Sequence, residues 1–339
     1  MEKVRLGDIC SKQSSRLAQK DLENMDGSYP IFGASGLIKK INTYDQKSEY
    51  VAVVKDGAGV GRTMLLPAYS SVIGTLQYLI PNDNVNAKYL YYAVKSRHLE
   101  KYYTGSAIPH IYFKDYKSEP IILADGIAQR KIALVLERVE KIIEEHKQQL
   151  EMLDTLIKAR FVEMFGDPIK NDKGWEETTW NEALVIKNGK NQKSVENSNG
   201  KYPICGSGGI IGYADKYITQ ENSVIIGRKG NINRPILMKE KYWNVDTAFG
   251  LEPKKEILNI YYLYLYCCFH DFEKLNKTVT IPSLTKKDLL RINMPIPPII
   301  LQNQFAEFVE EIDKSKSAIQ KSLEKTQTLF DSLMQEYFG

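Results

Sequence analysis

Tyr29-Pro30-Ile31-Phe32-Gly33-Ala34-Ser35-Gly36 returns 173 residues later as Tyr202-Pro203-Ile204-Cys205-Gly206-Ser207-Gly208-Gly209. The same offset carries Ile108-Pro109 to Ile281-Pro282, Lys114-Asp115 to Lys287-Asp288, Gln129 to Gln302, Ala133 to Ala306 and Phe165-Gly166 to Phe338-Gly339. A solenoid unit would repeat every 20–50 residues or so. A period this long is a duplicated domain with a helix attached. Two similar modules on one chain form a pseudo-twofold object. Such an object suits a pseudo-twofold partner, of which duplex DNA is the common example.

The repeat divides the 339 residues into a globular domain over 1–126, a long helix over 127–166, a second domain over 167–298 and a second helix over 299–339. From Ile127 to Phe165 there is no Gly or Pro, and helix formers dominate. Seam residues recur at 3–4 spacing: Leu136, Val139, Ile143, His146, Leu150, Leu153, Ile157, Arg160 and Met164. The second half repeats the pattern at Val309, Ile312, Lys316, Ile319, Leu323, Thr326, Phe330, Leu333 and Tyr337. A helix of this length spans roughly 58 Å, and alone it would leave its apolar stripe wet. The two helices are therefore expected to pack as an antiparallel coiled coil. His146 is expected to be a register-setting or partly exposed seam residue rather than a ligand, with Lys316 and Arg160 snorkelling out of the seam. Because the segment is not rich in Gly or Ser, it is a rigid spacer rather than a flexible linker.

The net charge is +4, from 46 Lys and Arg against 42 Asp and Glu. Residues 127–166 hold seven of each sign, and residues 301–339 carry four Lys against seven acids. The basic excess therefore belongs to the globular modules, where it either meets nucleic-acid phosphates or is ordinary surface chemistry. Met1-Glu2-Lys3-Val4-Arg5-Leu6 begins no apolar run, so no secretory signal is expected. The longest apolar stretch, near Ile260–Phe269, is about half a membrane span. Cys10, Cys205, Cys267 and Cys268 show neither zinc spacing nor a disulfide framework. A cytoplasmic protein with no membrane partner is the expectation.

Each module reads as short strands and turns followed by a short helix. Val51–Val54 and Val224–Ile226 are strand-like runs. Each leads into a basic Gly loop, Lys55-Asp56-Gly57-Ala58-Gly59-Val60-Gly61-Arg62 and Gly227-Arg228-Lys229-Gly230-Asn231-Ile232-Asn233-Arg234. Aromatic helical stretches follow at Tyr89–Val94 and Tyr261–Cys267, and then a polar loop precedes the shared Ile-Pro. Gly lets a backbone approach a surface closely, while Arg, Lys and Asn bond phosphates and base edges. This points to Lys55, Arg62, Arg228, Lys229, Asn231 and Arg234 as DNA contacts. The Ile-Pro segments add Ser106, His110 and Lys114 in the first module and Thr280, Ser283 and Lys286 in the second, unless they are proline-fixed turns that close the domain. The Gly33–Gly36 and Gly206–Gly209 stretches lack the Gly-Lys-Ser/Thr ending of a phosphate loop and read as tight turns. The sequence carries no motif for methyl transfer to a base, dinucleotide binding or a metal cluster. The four His lie in unrelated contexts. The chain is expected to bind rather than catalyse, with no catalytic residue, metal or cofactor of its own.

The doubled Tyr-Pro-Ile-x-Gly-x-x-Gly turn, the Ile225-Ile226-Gly227-Arg228-Lys229-Gly230 strand and loop, Gly105–Ile111 and the closing Gln-to-Phe-Gly helices together resemble the specificity (S) subunits of type I restriction–modification enzymes over essentially the whole chain. The resemblance implies an α+β chain with two pseudo-twofold-related target-recognition domains of mixed strands and short helices, separated by two long antiparallel coiled-coil helices. Each domain would read half of a bipartite, asymmetric DNA target in defence against foreign DNA. The helices would set the gap and dock two methyltransferase (M) subunits, with room for two restriction (R) subunits. S-adenosylmethionine, ATP and magnesium would belong to those partners. The chain is more compact than the longer members, which leaves open a specificity subunit of the type IIB kind, or a DNA-binding adaptor or decoy.

Overall fold

The computed structural model describes residues 2–105, 109–278 and 280–339. The chain forms two compact units, Met1–Lys147 with Lys321–Gly339, and Gln148–Gln320. The division falls inside both long helices, Gly126–Phe165 and Ile299–Phe338, each of 40 residues.

Among its described residues the first unit holds nine strands: β1 (Glu2–Arg5), β2 (Cys10–Ser14), β3 (Tyr29–Gly33), β4 (Gly36–Ile41), β5 (Tyr50–Val54), β6 (Thr63–Leu66), β7 (Ser71–Val72), β8 (Leu76–Pro81) and β9 (Pro120–Leu123). They form sheets in the orders β2-β8-β5-β6, β4-β3-β7 and β1-β9. The second unit repeats this with β10 (Glu177–Thr179), β11 (Leu184–Asn188), β12 (Tyr202–Gly206), β13 (Gly209–Ala214), β14 (Ser223–Gly227), β15 (Ile236–Met238), β16 (Trp243–Asn244), β17 (Ala248–Pro253) and β18 (Asn293–Pro295). The orders are β11-β17-β14-β15, β13-β12-β16 and β10-β18. Even the irregularities recur. The hairpins β3–β4 and β12–β13 each shift register once, at Ile31/Phe32 and Ile204/Cys205.

The unbroken apolar runs of β5 and β14 follow from burial on both faces, because a half-exposed strand would alternate. Val51 and Val53 pack with Tyr89, Tyr92 and Leu136, toward the helices Ala87–Lys95 and Gly126–Phe165. Tyr50, Ala52 and Val54 pack on the other side with Ile31, Ile41 and Val72 of the three-stranded sheet. In the second unit Val224 and Ile226 join Phe161, Tyr262 and Phe305, while Ile225 joins Cys205, Met238 and Tyr242.

A buried glutamine locks each short aromatic helix to the start of a long one. Gln129 Nε2 donates to the carbonyls of Asn84 (3.1 Å) and Ala124 (2.8 Å), and its Oε1 accepts from the backbone N–H of Asn86 (2.8 Å). Gln302 does the same with Ile257 (3.0 Å), Pro297 (2.7 Å) and Asn259 (2.8 Å). Asn86 and Asn259 are the N-caps of the helices Ala87–Lys95 and Ile260–Phe269. Each glutamine thus satisfies a cap's own N–H in a place closed to water.

In both units the long-helix segments run antiparallel. In the first, His146 Nε2 lies 3.0 Å from Ser322 Oγ, and Phe330 packs on Tyr92, whose hydroxyl donates to Glu140. In the second, Lys316 pairs with Asp154 at 2.6 Å, Arg160 lies over the Phe308 ring and Phe161 meets Phe305. Leu136, Val139, Ile143, Ile157, Val309 and Phe330 are buried in the seam, and Leu150, Leu153, Ile312, Ile319, Leu323 and Leu333 are half-buried.

Candidate nucleic-acid interface

In each unit the hairpin tip, a short turn, the Gly loop and the Ile-Pro segment are joined into one rim by backbone hydrogen bonds. In the first unit Ile73 N–H donates to Phe32 O (3.0 Å), and Lys55 and Asp56 N–H both donate to Thr75 O (3.0 and 3.3 Å). Gly57 N–H donates to Pro109 O (2.9 Å), and Ile111 N–H to Lys55 O (3.0 Å). The second unit repeats each bond. Val245 N–H donates to Cys205 O (3.0 Å), Arg228 and Lys229 N–H to Thr247 O (2.8 and 3.2 Å), Gly230 N–H to Pro282 O (2.9 Å) and Leu284 N–H to Arg228 O (2.9 Å). Gly57 (φ +83°) and Gly230 (φ +78°) adopt the left-handed conformation that lets the loop fold onto the proline carbonyl.

The shared frame carries different side chains. In the first unit Asp56 pairs with His110 and lies 3.6 Å from Lys55 Nζ, so an acid offsets the loop's charge. The backbone bridge that joins Asp56 to His110 recurs in the second unit between Lys229 and Ser283, neither of which is acidic. Arg62 is exposed and reaches across to the hairpin, donating to Ala34 O (3.0 Å). Lys114 is exposed over the Tyr112 ring.

Arg228 is half-buried over Phe249, whereas Lys229, Asn231, Arg234 and Thr280 are exposed. Ser283 is half-buried, and its N–H donates to Asn276 Oδ1 (3.1 Å). Lys286 turns inward and donates to Ile186 O (2.8 Å), so its ammonium is engaged within the unit. Lys277 and Thr285 donate to Asp288 and hold its carboxyl below the usual carboxylate range. Ser106 lies outside the described residues.

The structure therefore brings Lys55, Arg62 and His110 together in one unit and Arg228, Lys229 and Ser283 in the other. Two further rim residues, Asp56 and Tyr112, are not distinguished by the sequence pattern. Asp56 is 54 residues from His110, and only the sheet brings them together. Tyr112 is half-exposed with its ring 4.1 Å from that of His110, and an aromatic residue between His110 and Lys114 is the one local signal for it. Among the described residues no group of His, Cys, Asp and Glu is placed to hold a metal ion, and no helix is long and apolar enough to cross a membrane.

Two units of one topology, each with a loop rim joined by the same bonds, make the chain a tandem repeat of one module. The sequence matches the family described as the type I restriction modification DNA specificity domain, over residues 1–154 and 172–327. The chain belongs to that family and is a type I restriction–modification specificity subunit. It is 24% identical over 300 residues to the MjaIX specificity subunit of Methanocaldococcus jannaschii, covering 76% of this chain and 69% of that one. It is 29% identical over 150 residues to a putative type I specificity subunit of Mycoplasma pneumoniae, covering 42% and 48% of the two chains. The S subunit of a type I system from M. genitalium shares the fold with a TM-score of 0.71 and 20% identity, over 100% of this chain and 96% of that one. A chain from a structure describing complex assembly and conformational transition of the type I system gives a TM-score of 0.54 at 15% identity, covering 99% and 97%.

Proposed function

We propose that each unit reads one half of a bipartite, asymmetric DNA sequence, and that the chain does no chemistry itself. The observation that carries this is the pair of rims with one backbone frame and different side chains, Asp56 and His110 against Lys229 and Ser283. A shared frame fits a shared mode of docking on duplex DNA. Different side chains fit different half-sites, because phosphate contacts position a protein while base-edge contacts specify sequence.

On this reading Arg62, Lys114, Lys229 and Arg234 meet phosphates or base edges, with Asn231, Thr280, Ser283 and His110 beside them. Lys55, Arg228 and Lys286 support the loops from half-buried positions. The long helices dock two M subunits and leave room for two R subunits. Exposed Leu134, Val135 and Ile142 in the first unit's segment, and exposed Met152, Leu156 and Val162 in the second's, support a protein partner there. S-adenosylmethionine, ATP and magnesium belong to those partners. Half-sites about one helical turn, roughly 10 bp, apart suit two modules on one face of the duplex.

The test exchanges residues 1–126 for the corresponding domain of another specificity subunit and maps methylated adenines made with the M subunit. One half of the motif is expected to change while the other half stays. A change in both halves, or in neither, would sink the modular reading.

A further inference from the structure

The Gly-rich turns that join β3 to β4 and β12 to β13 are more than connections. Gly36 (φ +112°) and Gly209 (φ +119°) adopt a backbone that strongly favours glycine, and a Cβ on either would meet nothing within 4 Å. The space beyond each tip is therefore open. The residue that follows each glycine is a large aliphatic one, and it is exposed: Leu37 at 58% and Ile210 at 56%. On β4 the next residue, Ile38, packs into the core with Ile31, so alternation turns Leu37 outward, whereas on β13 Ile211 is exposed beside Ile210.

A single exposed aliphatic side chain needs no explanation. Here two occupy equivalent positions, although the turns around them have diverged from Ala34-Ser35 to Ser207-Gly208. Both tips also belong to the rim. Phe32 O and Cys205 O, one residue before the tip glycines Gly33 and Gly206, accept from Ile73 and Val245 N–H, and Ala34 O accepts from Arg62. A surface that approaches the basic loops closely therefore lies within reach of the tips.

We propose that Leu37 and Ile210 each press on the 5-methyl group of a thymine in the half-site that their unit reads. This rests on the DNA-recognition reading above and adds a specificity contact to it. The occupant is duplex DNA because the tips continue the polar, basic rim. The apolar feature that a major groove offers such a side chain is the thymine methyl. Each half-site then contains an A·T pair placed under a hairpin tip. The contact is apolar, so it displaces no counterions.

The test uses the purified complex of the full chain with its M subunit and a duplex carrying a site that the wild-type complex methylates. Affinity is measured across a range of salt concentrations for wild type, Leu37→Ser, Ile210→Ser and Leu37→Met. Each serine variant is expected to bind about tenfold more weakly at every salt concentration. The slope of log K on log salt should stay at the wild-type value, because every neutralised phosphate stays neutralised. Leu37→Met should remain within about twofold of wild type. Deoxyuridine in place of thymidine in one half-site should reproduce the weakening in wild type and add nothing to the matching serine variant. Wild-type affinity in both serine variants overturns the proposal, as does a changed salt slope. Failure of the serine variants to hold the M subunit also overturns it, by assigning the tips to a protein contact. If the wild-type complex methylates no site and prefers no duplex, the DNA-recognition reading falls first and takes this inference with it.

Discussion

Alanine at both Lys229 and Arg234 is expected to weaken binding of the M-subunit complex to its target roughly a hundredfold and to lower the salt slope by about 2, near 0.9 for each phosphate that is no longer neutralised. Both side chains are exposed on the second unit's Gly loop, and at the backbone bridge where the first unit has Asp56 and His110 the second has Lys229 and Ser283, neither of them acidic. Lys229 therefore stands where the first unit has an acid. Lys55 of the first unit is the internal comparison. It is half-buried and lies near Asp56, which also pairs with His110. Lys55→Ala should leave the salt slope within about 0.3 of wild type, because a charge already offset within the loop releases few counterions. Fluorescence titration at four or more salt concentrations checks both statements. Equal slopes for the double variant and wild type would remove the second loop from the DNA surface.

The second large effect concerns stability. Phe161→Ala is expected to cost the second unit about 3–5 kcal/mol, the range for truncating a fully buried Phe. Phe161 is completely buried. Its ring lies 5.1 Å from Phe165, 5.3 Å from Tyr262, 5.6 Å from Phe269 and 5.5 Å from Phe305. Three separate parts of the unit converge on it: one long helix, the short aromatic helix and the other long helix. Removing the ring leaves a cavity that none of them can close alone, since each is fixed by its own hydrogen bonds. Thermal unfolding followed by tyrosine and tryptophan fluorescence should show a lowered transition for this unit. An unchanged transition would mean that the cluster collapses without cost and does not organise the unit.

The two long helices and their seam are legible in the sequence, because 3–4 spacing is a local signal that survives without tertiary information. The offset of 173, which slips by a residue in places such as Thr75 and Thr247, then carries readings from one half to the other. Strand runs such as Val51–Val54 are also legible, since burial on both faces leaves no polar interruption. How the loops come together is not. Gly57 and Pro109 are joined by a backbone hydrogen bond across 52 positions, and no periodicity encodes that partnership. For the same reason nothing local marks Asp56 as the partner of His110, and Lys286 reads as a surface cation although it reaches in to Ile186 O. The tight turns at Gly36 and Gly209 are recognisable as turns from their glycines. Their exposed aliphatic neighbours acquire meaning only when the turn is seen joined to the rim.

The most direct test of two-module DNA recognition is a map of methylated adenines in DNA from a methylation-free host that expresses this chain with its M subunit. One split motif is expected, two different short blocks separated by a fixed gap, with an A·T pair in each block. A continuous motif, or no methylation despite a soluble complex with the M subunit, would contradict it.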